Sequence, residues 1–229
     1  MSGGRLYLVR HGETAANAQG LWQGRQGDDP LNERGRVQSQ AAAEALVDSG
    51  ASAIYASGLR RAVETAEIIG ARLGLPVKTH AGLREYDFGD LEGATTSEVL
   101  AEWKALLGQW RTDPSAKPPG GESAMEFTRR VGGALQEIAG QHESERVIVV
   151  SHGGSISVGL AVIVGKPDAW QDYQMTNCGI STVRLGPSRE LLAFDETSHL
   201  AGIGTTAWAG AGVTLDEFSE PPQTSPERT

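Results

Sequence analysis

Leu6-Tyr7-Leu8-Val9-Arg10-His11-Gly12-Glu13-Thr14 is the stretch on which the reading of this chain turns. Four apolar residues in a row predict a strand buried on both faces, and the run ends abruptly in a cation, an imidazole and a glycine. Open α/β sheets bind ligands outside the carboxyl ends of their strands, where a rigid element holds a side chain that still faces solvent. The pattern occurs a second time: Val147-Ile148-Val149-Val150 runs into Ser151-His152-Gly153-Gly154. Two strands therefore end in His-Gly. Glycine lets a bulky anion approach the backbone, and exposed N–H groups at the start of a helix attract negative charge. The planar fork of Arg10 suits a phosphate, to which it can donate paired hydrogen bonds.

The chain has 229 residues, enough for one large domain whose core needs neither disulfides nor metal. No Pro/Gly/Ser-rich linker divides residues 5–200 and no repeat is visible, so a single domain over residues 1–204 is expected. Residues 205–229 are rich in Gly, Pro, Ser, Thr and Glu, the composition of a poorly ordered tail. The one cysteine, Cys178, has no partner for an internal disulfide, which points to a reducing compartment. The first apolar run is too short for a signal peptide or a spanning helix. A cytoplasmic protein with no membrane partner is the expectation. A formal charge of −9 argues against nucleic acid. It also means that a phosphate pocket must concentrate positive charge locally.

Strands are expected at Arg5–Val9, Ala53–Ala56, Pro76–Thr79 and Arg146–Val150, with a final pair at Ile180–Leu185 and Leu191–Phe194. Helices are expected from Asn32, an N-cap type residue, to Asp48, with Gly50 as the stop, and from Leu59 to Leu73. Three more follow: Thr95 or Thr96 to Trp110, Ser123 to His142, and Ser155 to Val164. Residues Ala15–Pro30 read as a loop. In the Leu59–Leu73 helix, Leu59, Ala62, Val63, Ala66, Ile69, Gly70 and Leu73 share one face, a core stripe. Arg60 and Arg61 lie off it in the first turn, where two cations oppose the helix macrodipole. At least one of them is therefore expected to be held for a ligand; periodicity does not choose. The loop Ala81–Ala94 carries four carboxylates, Glu85, Asp87, Asp90 and Glu92, which are equally open as a general acid.

The motifs taken in order are Arg10-His11-Gly12-x-Thr14-x-x-Asn17, Gln23-Gly24, Leu31, Gly35, Gln38 and Ser57-x-Leu59-x-Arg61-Ala62. They continue with Leu83-Arg84-Glu85, Gly89, Glu92-Gly93, Gly120-Gly121-Glu122-Ser123 and Ser151-His152-Gly153. This series resembles the histidine phosphatase superfamily, which includes the cofactor-dependent phosphoglycerate mutases, over residues 5–200. The resemblance implies an α/β fold, a three-layer α/β/α sandwich with a mostly parallel, doubly wound central sheet. It implies His11 as the nucleophile that forms a phosphohistidine, rather than a histidine merely satisfied at a strand end. Arg10, Arg61, Asn17, His152 and the N–H near Gly153 would form the phosphate clamp, with a protonated His152 adding charge. Among the carboxylates the resemblance selects Glu85, because Leu83-Arg84-Glu85 with Gly89 beyond matches the family's acid position; a carboxyl beside an anionic phosphate is favoured in its protonated form by like charge, as a general acid requires. Gln23 and Gly24 would line the substrate loop. Ser123 with Glu126 reads as a capping box, Glu122 as a support that could orient a clamp arginine, and His199 as structural. Gly58 departs from the pattern, because the family often carries an acidic residue there. No metal-ligand spacing is present, and neither cofactor nor metal is expected.

These features predict a metal-independent phosphomonoesterase acting on a small phosphorylated metabolite. The alternative is a 2,3-bisphosphoglycerate-dependent phosphoglycerate mutase. Between Tyr86 and Gly120 the basic residues are only Lys104, Arg111 and Lys117, and the long basic insertion typical of the mutases is missing. A silent binding module would lack one of His11, Arg61, Glu85 or His152; all four are present. Trp22, Trp103 and Trp110 are candidates to receive an aromatic leaving group. The strand near Ile180–Leu185, read as a sheet edge, is a candidate homodimer contact.

Overall fold

The computed structural model describes residues 3–106, 109 and 113–205. Its centre is β1, Arg5–Arg10. Successive strand side chains point to opposite faces, and β1 is apolar on both, so each face needs a cover. Leu6 and Leu8 join one buried cluster, with Val131, Leu135 and Ile138 of α5 (Ala124–Gln141) and Leu160 of α6 (Gly153–Ile163). Tyr7 and Val9 join the other, with Ala42 and Ala43 of α2 (Glu33–Ala45) and Ala62, Ala66 and Ile69 of α3 (Arg60–Leu73). The remaining strands are β2 (Ala53–Ala56), β3 (Val77–Thr79), β4 (Arg146–Ser151), β5 (Ile180–Arg184) and β6 (Glu190–Glu196). They form one sheet in the order β3-β2-β4-β1-β5-β6. The β1–β4, β4–β2 and β2–β3 pairs are parallel, and β5 runs antiparallel to both β1 and β6. The expected three-layer α/β/α sandwich with a mostly parallel sheet is the fold observed.

Register is what positions the site. β1 and β4 pair from Arg5 opposite Arg146 to Arg10 opposite Ser151, so the next residues, His11 and His152, leave adjacent strands at the same level. The His11 N–H still donates to the Ser151 carbonyl at 2.9 Å. The sequence pattern that repeats thus becomes two imidazoles side by side.

Several expectations need correction. The stretch read as a loop after β1 contains a one-turn helix, α1 (Ala15–Ala18), closed by a reciprocal capping box between Thr14 and Asn17. The Asn32-capped helix ends at Ala45, passing through a 3₁₀ turn, Val47–Ser49, before Gly50. α6 begins at Gly153, two residues early, because His152 is itself the N-cap residue. α4 runs only from Thr96 to Glu102. Of its expected remainder, Leu107, Gly108 and Trp110 lie outside the described residues, as do Arg111 and residues 206–229 of the expected tail. The strand at Ile180 is not an edge: β5 is paired on both sides, by β1 and β6. Its backbone groups are therefore spent, and it offers no free edge for pairing with a second copy. Among the described residues no helix is long and apolar enough to cross a membrane.

Candidate active site

Arg10 and His11 are seated by the segment that enters β5. Arg10 Nη1 donates to the Met175 carbonyl at 2.8 Å, and the Cys178 N–H donates to the Arg10 carbonyl at 3.0 Å. Asn177 Nδ2 donates to the His11 carbonyl at 2.9 Å and to Asn17 Oδ1 at 3.2 Å. Burial draws the pKa of Arg10 down to about 10, against the pull of Glu85 and Asp195, which leaves it charged at neutral pH. His11 Nδ1 lies 2.7 Å from the Gly12 carbonyl. A carbonyl only accepts, so Nδ1 carries the proton and Nε2 is left with a lone pair. Burial, then the charges of Arg61 and Arg10, hold the His11 pKa well below 6.5. The ring is a neutral base, as a nucleophile must be.

His152 stands 5.1 Å from His11, ring centroid to centroid. Arg61 Nε donates to its Nδ1 at 3.2 Å, so its proton is on Nε2, 2.7 Å from Ser57 Oγ. Burial, then the charges of Arg61, His11 and Arg10, hold its pKa well below 6.5. The His152 ring is thus neutral here, with an arginine N–H in the position of the second proton, and the protonated His152 expected of the phosphate clamp would have to displace that N–H. Arg61 is fully buried and also donates to the Gly27 and Gly24 carbonyls, both at 2.8 Å. Its neighbour Arg60 is exposed and takes the ordinary surface fate, an i,i+4 pair with Glu64. Of the two arginines that oppose the helix dipole, Arg61 is the one held inside.

Glu85 is buried with its carboxylate against the N-terminus of α6. It accepts from the N–H of Gly154 at 3.0 Å, of Ser155 at 3.0 Å and of Tyr86 at 2.9 Å. A Cβ at Gly154 would come 2.7 Å from Glu85 Oε1, so the glycine pair after His152 makes room for this carboxylate. The other carboxylates are employed elsewhere. Glu92 accepts from the N–H groups of Arg25, Gln26 and Gly27 and folds that loop, Asp87 accepts from Gly89, and Asp90 is exposed. Among the described residues no group of three or more His, Cys, Asp or Glu could hold a metal ion.

The model of the histidine phosphatase superfamily, branch 1, matches residues 6–194 of this chain. The chain belongs to the histidine phosphatase superfamily. Similar curated proteins include phosphoglycerate mutase-like protein 4 of Arabidopsis thaliana, 37% identical and covering 87% of this chain and 88% of its own length. Glucosyl-3-phosphoglycerate phosphatase of Mycolicibacterium vanbaalenii is 39% identical over 72% of this chain and 77% of its own. Among solved structures, the alpha-ribazole phosphatase of Shigella flexneri aligns with a TM-score of 0.74 at 29% identity, covering 84% of this chain and 96% of that one. The family resemblance and the enzyme class expected from the sequence, a phosphoric monoester hydrolase, stand on these relatives.

For this histidine phosphatase, the remaining expected residues fall around the two imidazoles with their atoms partly committed. Asn17 uses Oδ1 for the Thr14 and Asn177 N–H groups, which leaves its Nδ2 end to face an anion. Gln23 accepts from Thr14 Oγ1 at 2.9 Å and donates to Asp29 at 2.8 Å. Gly24 offers its carbonyl to Arg61, and Gly153 is the first residue of α6, between His152 and the N–H groups that Glu85 caps. Trp22 is not a ligand platform: it is buried against Phe88, its indole N–H on Thr96. Trp103 packs at the edge of the same core. Glu122 does orient an arginine, but that arginine is Arg130, which in turn donates to the carbonyls of Gly82, Arg84 and Glu85. Ser123 caps α5 with Glu126 as expected, and His199 holds the Cys178 carbonyl at 2.9 Å. Arg130 and Asn177 are absent from the sequence motifs, and Ser57 stands in the motif Ser57-x-Leu59-x-Arg61-Ala62 with no role assigned to it. The roles of all three arise mainly from contacts distant in the chain.

Two histidines buried as neutral rings have a consequence for stability. The unfolded chain binds protons at both near pH 6.5, whereas the folded chain does not until well below it. The unfolded state thus holds more protons in that window, so stability is fully present above about pH 6.5 and falls as the pH drops below it. Each withheld proton is worth about 1.4 kcal/mol per pH unit. Urea unfolding between about pH 7.5 and 5 should show this acid-side loss. Stability that stays flat across the window would mean that the two rings protonate in place.

Proposed function

We propose that this chain hydrolyses small phosphate monoesters through a phosphohistidine on His11, without a metal ion. The observation that carries the reading is the His11 tautomer: its Nδ1–H is fixed on the Gly12 carbonyl, so Nε2 is free to attack phosphorus. Arg10, Arg61, Asn17 and the N–H of Gly153 supply donors for the phosphoryl oxygens, and the Nε2–H of His152 joins them by turning from Ser57 Oγ, its present acceptor. Phosphoryl transfer asks mainly for positioning and charge stabilisation, and a buried site makes each such donor stronger. In the first half, the Nε2–P bond forms, the ester P–O bond breaks, and the leaving oxygen takes a proton from Glu85. In the second half, Glu85 accepts a proton from water as its oxygen attacks phosphorus, and the P–N electrons return to His11. Gln23 and Gly24 belong to the loop that shapes the leaving-group side. A small phosphate ester is the partner on this reading, and the reducing interior of a cell, suited to a free buried Cys178, is the compartment.

The test is a screen of phosphate monoesters in buffer freed of metal by chelator, with vanadate as inhibitor. Turnover unaffected by the chelator and strong inhibition by vanadate are expected, because vanadate adopts the five-coordinate geometry of the transferring group. A requirement for added Mg²⁺ or Zn²⁺ would overturn the reading. Including 3-phosphoglycerate with and without its bisphosphate separates hydrolysis from isomerisation.

A further inference from the structure

Arg84 adjoins Glu85 in the chain, yet the mechanism above makes no use of its side chain. Its backbone is held firmly: the carbonyl accepts from Arg130 Nη1 at 2.8 Å and from Ser155 Oγ at 2.9 Å. Its side chain is partly exposed, and the buried Nε has no hydrogen-bond partner. Surface arginines such as Arg34, Arg36, Arg60 and Arg72 each hold a carboxylate. Among the described residues Arg84 holds none. A buried donor left unpaired is costly, and a native structure that keeps one calls for an explanation.

Beside the guanidinium a glycine leaves a narrow slot, with room for a Cβ in ordinary van der Waals contact. A Cβ built at Gly58 would come 4.0 Å from Arg84 Nη2 and 3.9 Å from Thr79 Cβ. Gly58 has a φ of +82°, a conformation glycine adopts freely, and with no side chain it leaves the cation unneutralised where a carboxylate could have stood. The slot is also on the working edge of the sheet. Thr79 ends β3 and Ser57, next to Gly58, follows β2 and holds His152. The sheet order β3-β2-β4-β1 then leads on to His152 and His11. With strands about 4.8 Å apart, the Arg84 slot stands roughly 7–12 Å along this edge from a phosphoryl group seated between the two imidazoles.

We propose that Arg84 is a second anion-binding subsite, which selects phosphate esters whose leaving group carries a further anionic group at about that distance. The proposal rests on the phosphatase reading, and the experiment separates the two. Wild type, Arg84→Ala and Gly58→Asp are assayed on p-nitrophenyl phosphate, on n-butyl phosphate, and on the bisphosphates of ethane-1,2-diol, butane-1,4-diol and hexane-1,6-diol. Wild type should prefer a longer bisphosphate over n-butyl phosphate by about tenfold or more in kcat/KM. Arg84→Ala should erase that preference through KM, with kcat and the nitrophenyl phosphate reaction unchanged. Gly58→Asp, which places a carboxylate beside Nη2 without removing the cation, should also erase the preference; the strain of a side chain at φ +82° acts on every ester alike, so this variant is read only by the ratio of bisphosphate to n-butyl phosphate. The proposal fails if wild type shows no preference at any length, or if Arg84→Ala slows nitrophenyl phosphate in parallel, the mark of a structural role. Hydrolysis of none of the esters would instead sink the phosphatase reading. In that case calorimetric titration of the same bisphosphates still decides the subsite, with about tenfold weaker binding to Arg84→Ala expected and equal binding overturning it.

Discussion

His11→Ala lowers turnover by roughly 10⁴-fold or more, the scale on which removal of a covalent nucleophile is felt, and abolishes acid-labile phosphate on the protein. The size follows from the route, since without Nε2 the reaction has no covalent intermediate and water must attack the ester directly. Asn17, Arg10 and Arg61 remain to bind phosphate, so affinity for inorganic phosphate should change far less than kcat. Rapid acid or alkaline quench of wild type with a labelled ester, followed by digestion, should place the label on His11 and leave the alanine variant blank. Full activity in the variant would end the mechanism. Label on another residue would reassign the nucleophile.

Glu85→Gln should cost about 10²–10⁴-fold on alkyl phosphates, the usual worth of general acid catalysis, and much less on p-nitrophenyl phosphate. An alkoxide needs a proton as it leaves; nitrophenolate departs without one. The structure adds a complication that makes the comparison of substrates essential. Both oxygens of Glu85 accept N–H groups, and the amide of glutamine turns one of them into a donor facing a donor. A loss shared by both substrates therefore measures displacement of α6 and His152, while the excess loss on alkyl esters measures the proton. An equal loss on both substrates in the phosphorylation step would make Glu85 a positioning residue. Asp87 and Glu92 would be poor replacements, given that each is engaged in folding its own loop.

The fold was legible because the strands are short, apolar and bounded. Ala53–Ala56 and Arg146–Val150 could be read almost to the residue, and alternation with amphipathic helices fixed the layers. Pairing order was less accessible. Nothing local in Ile180–Leu185 says that β1 and β6 lie on its two sides, so an interior strand could pass for an edge. At the site, sequence proximity to a strand end identified His11, Arg10 and His152, and the family pattern chose Arg61 over Arg60 and Glu85 over three other acids. The protonation state of His152 is not legible in the sequence for a physical reason: it depends on an Arg61 N–H that arrives from another element at 3.2 Å. Asn177 and Arg130 escaped notice likewise, their partners lying 166 and 45 to 48 residues away.

The grip on Arg10 and His11 by Met175, Asn177 and Cys178 sets a timetable for the life of each molecule. His11 leaves the ribosome some 165 positions before the groups that seat it and Arg10. Over that interval a growing chain carries the imidazole without the clamp that orients it. Competence arrives late and together, when β5 closes beside β1. A chain that stops before Met175, whether by truncation or by a stalled ribosome, is left with an inert histidine rather than an unguarded phosphatase.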